Sequence, residues 1–246
     1  TRSRPHHASP RTAASLCMLA AMNEDAPIVW LADRQAAQHF DLSQATAADA
    51  ARYQRMRAPR RRLQWQISRA LLAHAGVARA AQSISHSGDF AALVRDAQAA
   101  AVGVDLELIK PRDFMRLARA AFATVEYEQL RELLSTEPAA VPLYFYQLWT
   151  LKESFAKALP MPLAAALREC VFERQLAGWR ATIPTPGPWH ARVWQPRTAL
   201  VLAAVAVGPQ LVAGPHAWTV RCWPTPADAP WPVKLDLSTD NTGWCA

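Results

Sequence analysis

Val102-Gly103-Val104-Asp105-Leu106-Glu107-Leu108 alternates apolar and polar residues with a period of two, the pattern of a β-strand with one buried face. Val102, Val104, Leu106 and Leu108 share that face, so Asp105 and Glu107 project together from the other. Two ionised carboxylates at i and i+2 on a strand repel each other unless a proton or a cation intervenes. A second stretch, Leu148-Trp-Thr-Leu-Lys-Glu-Ser-Phe-Ala-Lys157, has helical period. Leu148, Leu151, Phe155 and Leu159 form one stripe, and Trp149, Lys152, Glu153 and Lys157 fall opposite. That face offers a carboxylate flanked by two ammonium groups. Mg²⁺ usually takes one or two protein carboxylates plus phosphate oxygens and water, while nearby lysines neutralise the remaining phosphate charge. Asp105, Glu107 and Glu153 are therefore candidate ligands of a phosphate-bound Mg²⁺. Each motif alone has an ordinary explanation. Glu153 and Lys157 form an i,i+4 pair worth about 0.2–0.5 kcal/mol on a solvated helix, and Asp-x-Glu also describes the solvent face of an antiparallel strand. The combination is more specific than either part.

The segments Gly103-Val-Asp-Leu-Glu107, Phe122-Ala-Thr-Val-Glu126 and Trp149-Thr-Leu-Lys-Glu-Ser-Phe-Ala-Lys157, in that order, resemble the Sfp-type 4'-phosphopantetheinyl transferases, which activate the carrier domains of peptide, polyketide and fatty-acid synthases. The likeness runs from about Ser83 to Leu159 and takes in Ser83-Ile-Ser-His-Ser-Gly88. Outside it, the arginine-rich stretch starting at Arg60 and the strand-like Ile28-Val-Trp-Leu-Ala-Asp33 match more loosely. The resemblance implies an α+β fold of two similar α/β subdomains related by pseudo-twofold symmetry, with coenzyme A at their junction. It implies that Asp105, Glu107 and Glu153 hold Mg²⁺ on the coenzyme A pyrophosphate and that Lys157, with Lys152, stabilises the transferring phosphate. A carrier-protein serine would attack the phosphorus and 3',5'-ADP would leave. Glu153 would serve either as the base for that serine or as a metal ligand alone. His86 and Ser85 would contact a coenzyme A phosphate, and Arg60 and Arg61 the 3'-phosphate. As a serine nucleophile, Ser85 or Ser87 lacks an elbow motif and a triad partner.

Two departures from the family pattern stand out. The Gly-Lys-Pro segment that shapes the nucleotide pocket is replaced by Gly76-Val-Ala-Arg-Ala-Ala-Gln82, and the glycine turn after the helix lysine by Leu159-Pro-Met-Pro-Leu163, a stiffer connection. Neither touches the expected ligands. An inactive relative that binds carrier domains, or a nucleic-acid-binding protein using its basic surface, is the competing class. Another Mg²⁺-dependent phosphate enzyme is a third, but no Walker loop or kinase motif is present.

Composition is that of a globular protein: 51% apolar and 19% charged residues in 246, with no apolar run of membrane-spanning length. The net charge of +7 calls for an anionic substrate or partner, and Arg52, Arg55, Arg57, Arg60, Arg61 and Arg62 form the densest basic patch. Coenzyme A phosphates or an acidic carrier protein suit it. Nucleic acid is disfavoured, because no helix-turn-helix, zinc-finger or RNP-like signature accompanies the patch. The four cysteines lack metal-ligand spacing, and free thiols suit a reducing cytoplasm. A cytoplasmic monomer is the expectation.

Along the chain, 1–26 reads as a disordered segment or extension. Its apolar stretch Ala13 to Met22 is short for a secretory signal, and Met22 is an alternative start. The N-terminal subdomain is expected over 27–101: a strand at Ile28, helices over Ala45 to Arg57 and Arg60 to Ala75, and strand over Ile84 to Arg95. The C-terminal subdomain is expected over 102–223: a strand, helices near Asp113 to Phe122, Val125 to Leu134 and Leu143 to Leu159, then strands near Val171, His190 to Trp194, Ala199 to Val207 and Trp218 to Trp223. The Pro-, Asp- and Thr-rich 224–246 reads as an extended tail.

Overall fold

Strand alternation and helical stripes assemble into four layers in the computed structural model, which describes residues 27–76, 80–176, 178–185, 187–211, 217–225, 230–239 and 241–244. The segment 1–26, read as disordered or as an extension, lies outside the described residues. The first sheet contains β1 (Ile28–Ala32), β2 (Ala81–Ser87), β3 (Phe90–Asp96) and β9 (Thr219–Trp223), in the order β2-β3-β1-β9. The second contains β4 (Ala101–Leu108), β7 (Trp189–Arg197), β8 (Leu200–Val207), β10 (Val233–Ser238) and β11 (Asn241–Trp244), in the order β11-β10-β7-β8-β4. A separate hairpin pairs β5 (Val171–Gln175) with β6 (Gly178–Thr182).

The helices cover the outer faces. α1 (Ala47–Arg55) is capped by the Thr46 hydroxyl, and α2 (Pro59–Ala75) begins with a proline in its first turn, where a missing N–H costs nothing. α2 sets Ile67 and Leu71 on Ile28, Trp30, Ala91 and Leu93 of the first sheet. Across the molecule, α5 (Val141–Ala158) packs on Val201, Ala203 and Val205 of the second sheet, and α3 (Phe114–Ala121), α4 (Thr124–Thr136) and α6 (Leu163–Glu169) pack around α5. Between the sheets, Val102, Val104 and Leu106 of β4 meet Val29, Leu31, Ala92 and Val94. Each such aliphatic side chain gains roughly 1.5–3 kcal/mol by leaving water, so the face expected to be buried on β4 is the one that joins the two sheets.

The expected mixed α+β class is present, and the expected helices and strands fall within a few residues of their places, while α6 (Leu163–Glu169) and β6 (Gly178–Thr182) are not among them. Two expectations about the C-terminal part are corrected. The strand at Trp218–Trp223 pairs parallel to β1, Ile28 opposite Thr219, and so completes the first sheet rather than the second. The stretch 224–246, expected as an extended tail, contains β10 and β11. β10 pairs antiparallel with β7 and buries Leu235 and Leu237, a burial that outweighs the proline-rich composition around it.

Candidate functional site

Asp105 and Glu107 reach the site because β4 lies directly on α5 at one residue without a side chain. A Cβ on Gly103 would fall 1.9 Å from the carbonyl oxygen of Ser154, so the helix can approach this closely only over glycine. Ser154 fixes the contact from the other side, its single hydroxyl proton lying between two carbonyl acceptors, Thr150 O at 2.8 Å and Ala203 O at 3.0 Å from Oγ. With the helix seated there, Lys157 reaches β4. Its Nζ donates to Asp105 Oδ1 at 2.8 Å, to Val104 O at 2.8 Å and to Ser85 Oγ at 3.1 Å.

Three carboxylates share this space. Asp105 is buried, accepts the Ser85 hydroxyl at 2.8 Å on Oδ1, and leaves Oδ2 with no hydrogen-bond partner. Glu107 accepts the Ser87 hydroxyl on Oε2 at 2.7 Å. Burial pushes its carboxyl above the usual range against the pull of Ser87, and Asp105 pushes it further. Glu153 is pushed up to about 7, first by burial and then by the charges of Asp105 and Glu107, against the opposing pull of Lys157 and a hydrogen bond from Trp149. The Lys157 ammonium therefore faces three carboxylates, and the charge of Asp105 raises the proton affinity of Glu107 and Glu153.

Such a site has two ways to shed its repulsion, a proton or a cation. The residues fit a hard divalent ion: the donors are all carboxylate oxygens, the type that Mg²⁺ selects, and the orphaned Asp105 Oδ2 is a buried lone-pair donor with nothing to bind. Among the described residues no three His, Cys, Asp or Glu side chains form a ready-made metal cage. A cation here would bring further oxygen ligands from its substrate, as Mg²⁺ commonly does.

Lys152, expected beside Glu153 and Lys157, is corrected by the structure. Its side chain is 0% exposed, and all three ammonium protons are committed: to Glu126 Oε2 at 2.7 Å, Leu167 O at 2.8 Å and Cys170 O at 2.5 Å. Glu126 is equally satisfied, accepting the Phe172 N–H at 2.9 Å and the Ala123 N–H at 3.0 Å. Burial pushes the Glu126 carboxyl up and the Lys152 ammonium down, and each partner's charge opposes the shift in the other. α5 is buried on more than one face, so polarity at position 152 marks an internal ion pair joining α4, α5 and the entry to β5. No donor is left for a phosphate.

His86 is exposed on β2, between the buried Ser85 and Ser87. The alternation of the strand turns it away from the carboxylates. Arg60 and Arg61 are exposed in the first turn of α2, whose Gln64 donates to Gly88 O at 3.1 Å. The structure thus joins Asp105, Glu107, Glu153, Lys157 and Ser85 in one cluster and leaves His86, Arg60 and Arg61 outside it. Two residues beside the cluster lay within the quoted motifs but were assigned no part in it: Ser87, passed over once its nucleophile role was dismissed, and Trp149, placed on the helix face without a role.

Residues 101–205 match the family model of the 4'-phosphopantetheinyl transferase superfamily. The chain is 40% identical over 75 residues to the 4'-phosphopantetheinyl transferase psf-1 of Bacillus pumilus, covering 30% of each chain. It is 36% identical over 85 residues to the 4'-phosphopantetheinyl transferase Sfp of Bacillus subtilis (33% of this chain, 35% of that one). A Synechocystis protein provisionally given the same enzyme name is 31% identical over 99 residues (40% of this chain, 39% of that one). The chain thus matches these curated relatives over only 30–39% of their length. The family resemblance carried by Gly103 to Glu107 and Trp149 to Lys157 is borne out over the stretch that contains Asp105, Glu107, Glu126, Glu153 and Lys157.

Proposed function

We propose that this chain transfers the 4'-phosphopantetheine group of coenzyme A to a serine of an acyl, peptidyl or aryl carrier protein, with Mg²⁺, releasing 3',5'-ADP. The observation that carries this reading is the cluster of Asp105, Glu107, Glu153 and Lys157, which lies wholly within the stretch similar to the transferases. Asp105, Glu107 and Glu153 would hold the cation. When bound, Mg²⁺ would withdraw charge from the pyrophosphate of coenzyme A. Lys157, already on Asp105 and Ser85, supplies a positive charge within reach of the transferring group.

The carrier serine loses its proton as its oxygen bonds to phosphorus, and the bond from phosphorus to the bridging oxygen breaks. Glu153, on the same helix face as Lys157, would take that proton, or would serve as a cation ligand alone, since a carboxylate that ligates a metal is a poorer base. The exposed Arg60 and Arg61 and the outward-facing His86 are suited to binding phosphates beyond this centre, and an acidic carrier would meet the same basic surface. On this reading the two sheet units are pseudo-twofold subdomains, the first, expected over 27–101, gaining β9 and the second, expected over 102–223, giving up β9 and gaining β10 and β11. Support comes from the helix on the outer face of each sheet and from the site at the seam between β2 and β4.

Intact mass of an apo carrier protein incubated with this chain, coenzyme A and Mg²⁺ tests the proposal, with an EDTA control and several carrier types. A metal-dependent gain of one phosphopantetheine is the expected result. No gain on any carrier, with coenzyme A still bound, would favour a carrier-binding protein without catalysis.

A further inference from the structure

The first sheet ends at β2 and the second at β4, and among the described residues no backbone ladder joins them. Side chains bridge the seam instead, from every second residue of β2. Ser83 Oγ accepts the Val104 N–H at 3.2 Å, Ser85 Oγ donates to Asp105 Oδ1 at 2.8 Å, and Ser87 Oγ donates to Glu107 Oε2 at 2.7 Å. Ser87 Oγ also accepts the Leu108 N–H at 3.1 Å.

That last bond decides the orientation of the hydroxyl. A serine oxygen has one proton and two lone pairs. With one lone pair held by the backbone donor that follows Glu107, the proton is left to point at the Glu107 carboxylate. Ser87 is itself buried, so no water competes for that proton. Glu107 is thereby tied to the backbone of its own strand through an intermediary on another sheet.

We infer that Ser87 is a positioning residue, which holds the Glu107 carboxylate in the orientation that receives the divalent cation. This rests on the reading of the cluster as a cation site. Groups that orient a ligating carboxylate commonly govern metal affinity by about 10- to 100-fold when removed. Ser83 provides the control, since it bridges the same seam to a backbone N–H and touches no carboxylate.

The test is direct binding of Mn²⁺, read from the electron paramagnetic resonance signal of the free ion, to the full chain in the presence of coenzyme A. Ser87→Ala is expected to weaken binding about 10-fold, Ser83→Ala to leave it unchanged, and Ser87→Ala added to Glu107→Ala to cost nothing further. Ser87→Cys, which keeps the size and loses most of the donor strength, replaces the alanine variant if that one does not fold, with the same expected loss. Equal Mn²⁺ affinity in Ser87→Ala and the unmodified chain, equal losses in Ser87→Ala and Ser83→Ala, or no Mn²⁺ binding at all would each overturn the inference. Carrier modification is scored separately. An unmodified chain that binds Mn²⁺ in the expected pattern but modifies no carrier would sink the transferase reading and leave the role of Ser87 standing.

Discussion

The α-carbon of Gly103 on β4 lies against the carbonyl of Ser154 on α5, so close that a methyl group there would sit 1.9 Å from the oxygen. That oxygen belongs to backbone inside a helix and cannot swing aside. Gly103→Ala must therefore push α5 off the sheet, and overpacking of this kind typically costs about 1–3 kcal/mol. Glu153 and Lys157 move with the helix. Urea titration should give a lower midpoint, and carrier modification should fall more than the loss of folded protein explains. Undiminished turnover would mean that the close approach does not set the site.

Glu153→Gln keeps the shape of the side chain and removes its charge and its basicity. Loss of a positioned base lowers rates by about 10²–10⁴-fold, so transfer should drop at least a hundredfold while the circular dichroism spectrum stays the same. A variant that turns over normally would remove Glu153 from the reaction.

The metal-free chain should lose stability as pH rises. Glu153 titrates at about 7 when folded and near 4.5 when exposed, so between those values the folded state holds a proton that the unfolded state has lost. Unfolding then releases a proton, and raising the pH favours it. The contribution is full below about pH 4.5 and gone above about 7. Glu107 shifts in the same direction. Thermal melts in EDTA should show this fall, shallower in Glu153→Gln. An identical slope in the two proteins would mean that Glu153 is not the group responsible.

Lys152→Met should damage the fold. Stripping one partner from a buried ion pair typically costs about 3–5 kcal/mol, and here Glu126 would be left charged and without its cation. Denaturant titration should show a loss of that order, with coenzyme A affinity unchanged for the fraction that remains folded. A stable variant with weakened coenzyme A binding would instead return Lys152 to the phosphate site.

Much of this was readable in the residues. The alternation from Val102 to Leu108 gave both the buried face of β4 and the shared side of its carboxylates, and the stripe from Leu148 to Lys157 put Glu153 and Lys157 on one side of a helix. The same stripe misled at Lys152, because helical period separates faces but says nothing about how many of them are covered, and α5 is enclosed on several. The pairing of β9 with β1 spans about the whole described chain, and no local pattern encodes a partner so distant. Val233-Lys-Leu-Asp-Leu237 did carry the strand period, under a composition that suggested a loose tail. Ser83-Ile-Ser-His-Ser87 carried it too, but alternate hydroxyls do not say what they meet, and the seam they form with β4 went unread.

That seam makes the site depend on parity. Because the two sheets meet through alternate residues of β2 and not through a ladder of amides, a one-residue slip of β2 would present Ile84 and His86 where hydroxyls now stand and take Ile84 off the core it packs on. A slip of two would restore the pattern one rung along. The coupling of the halves is thus written as odd or even.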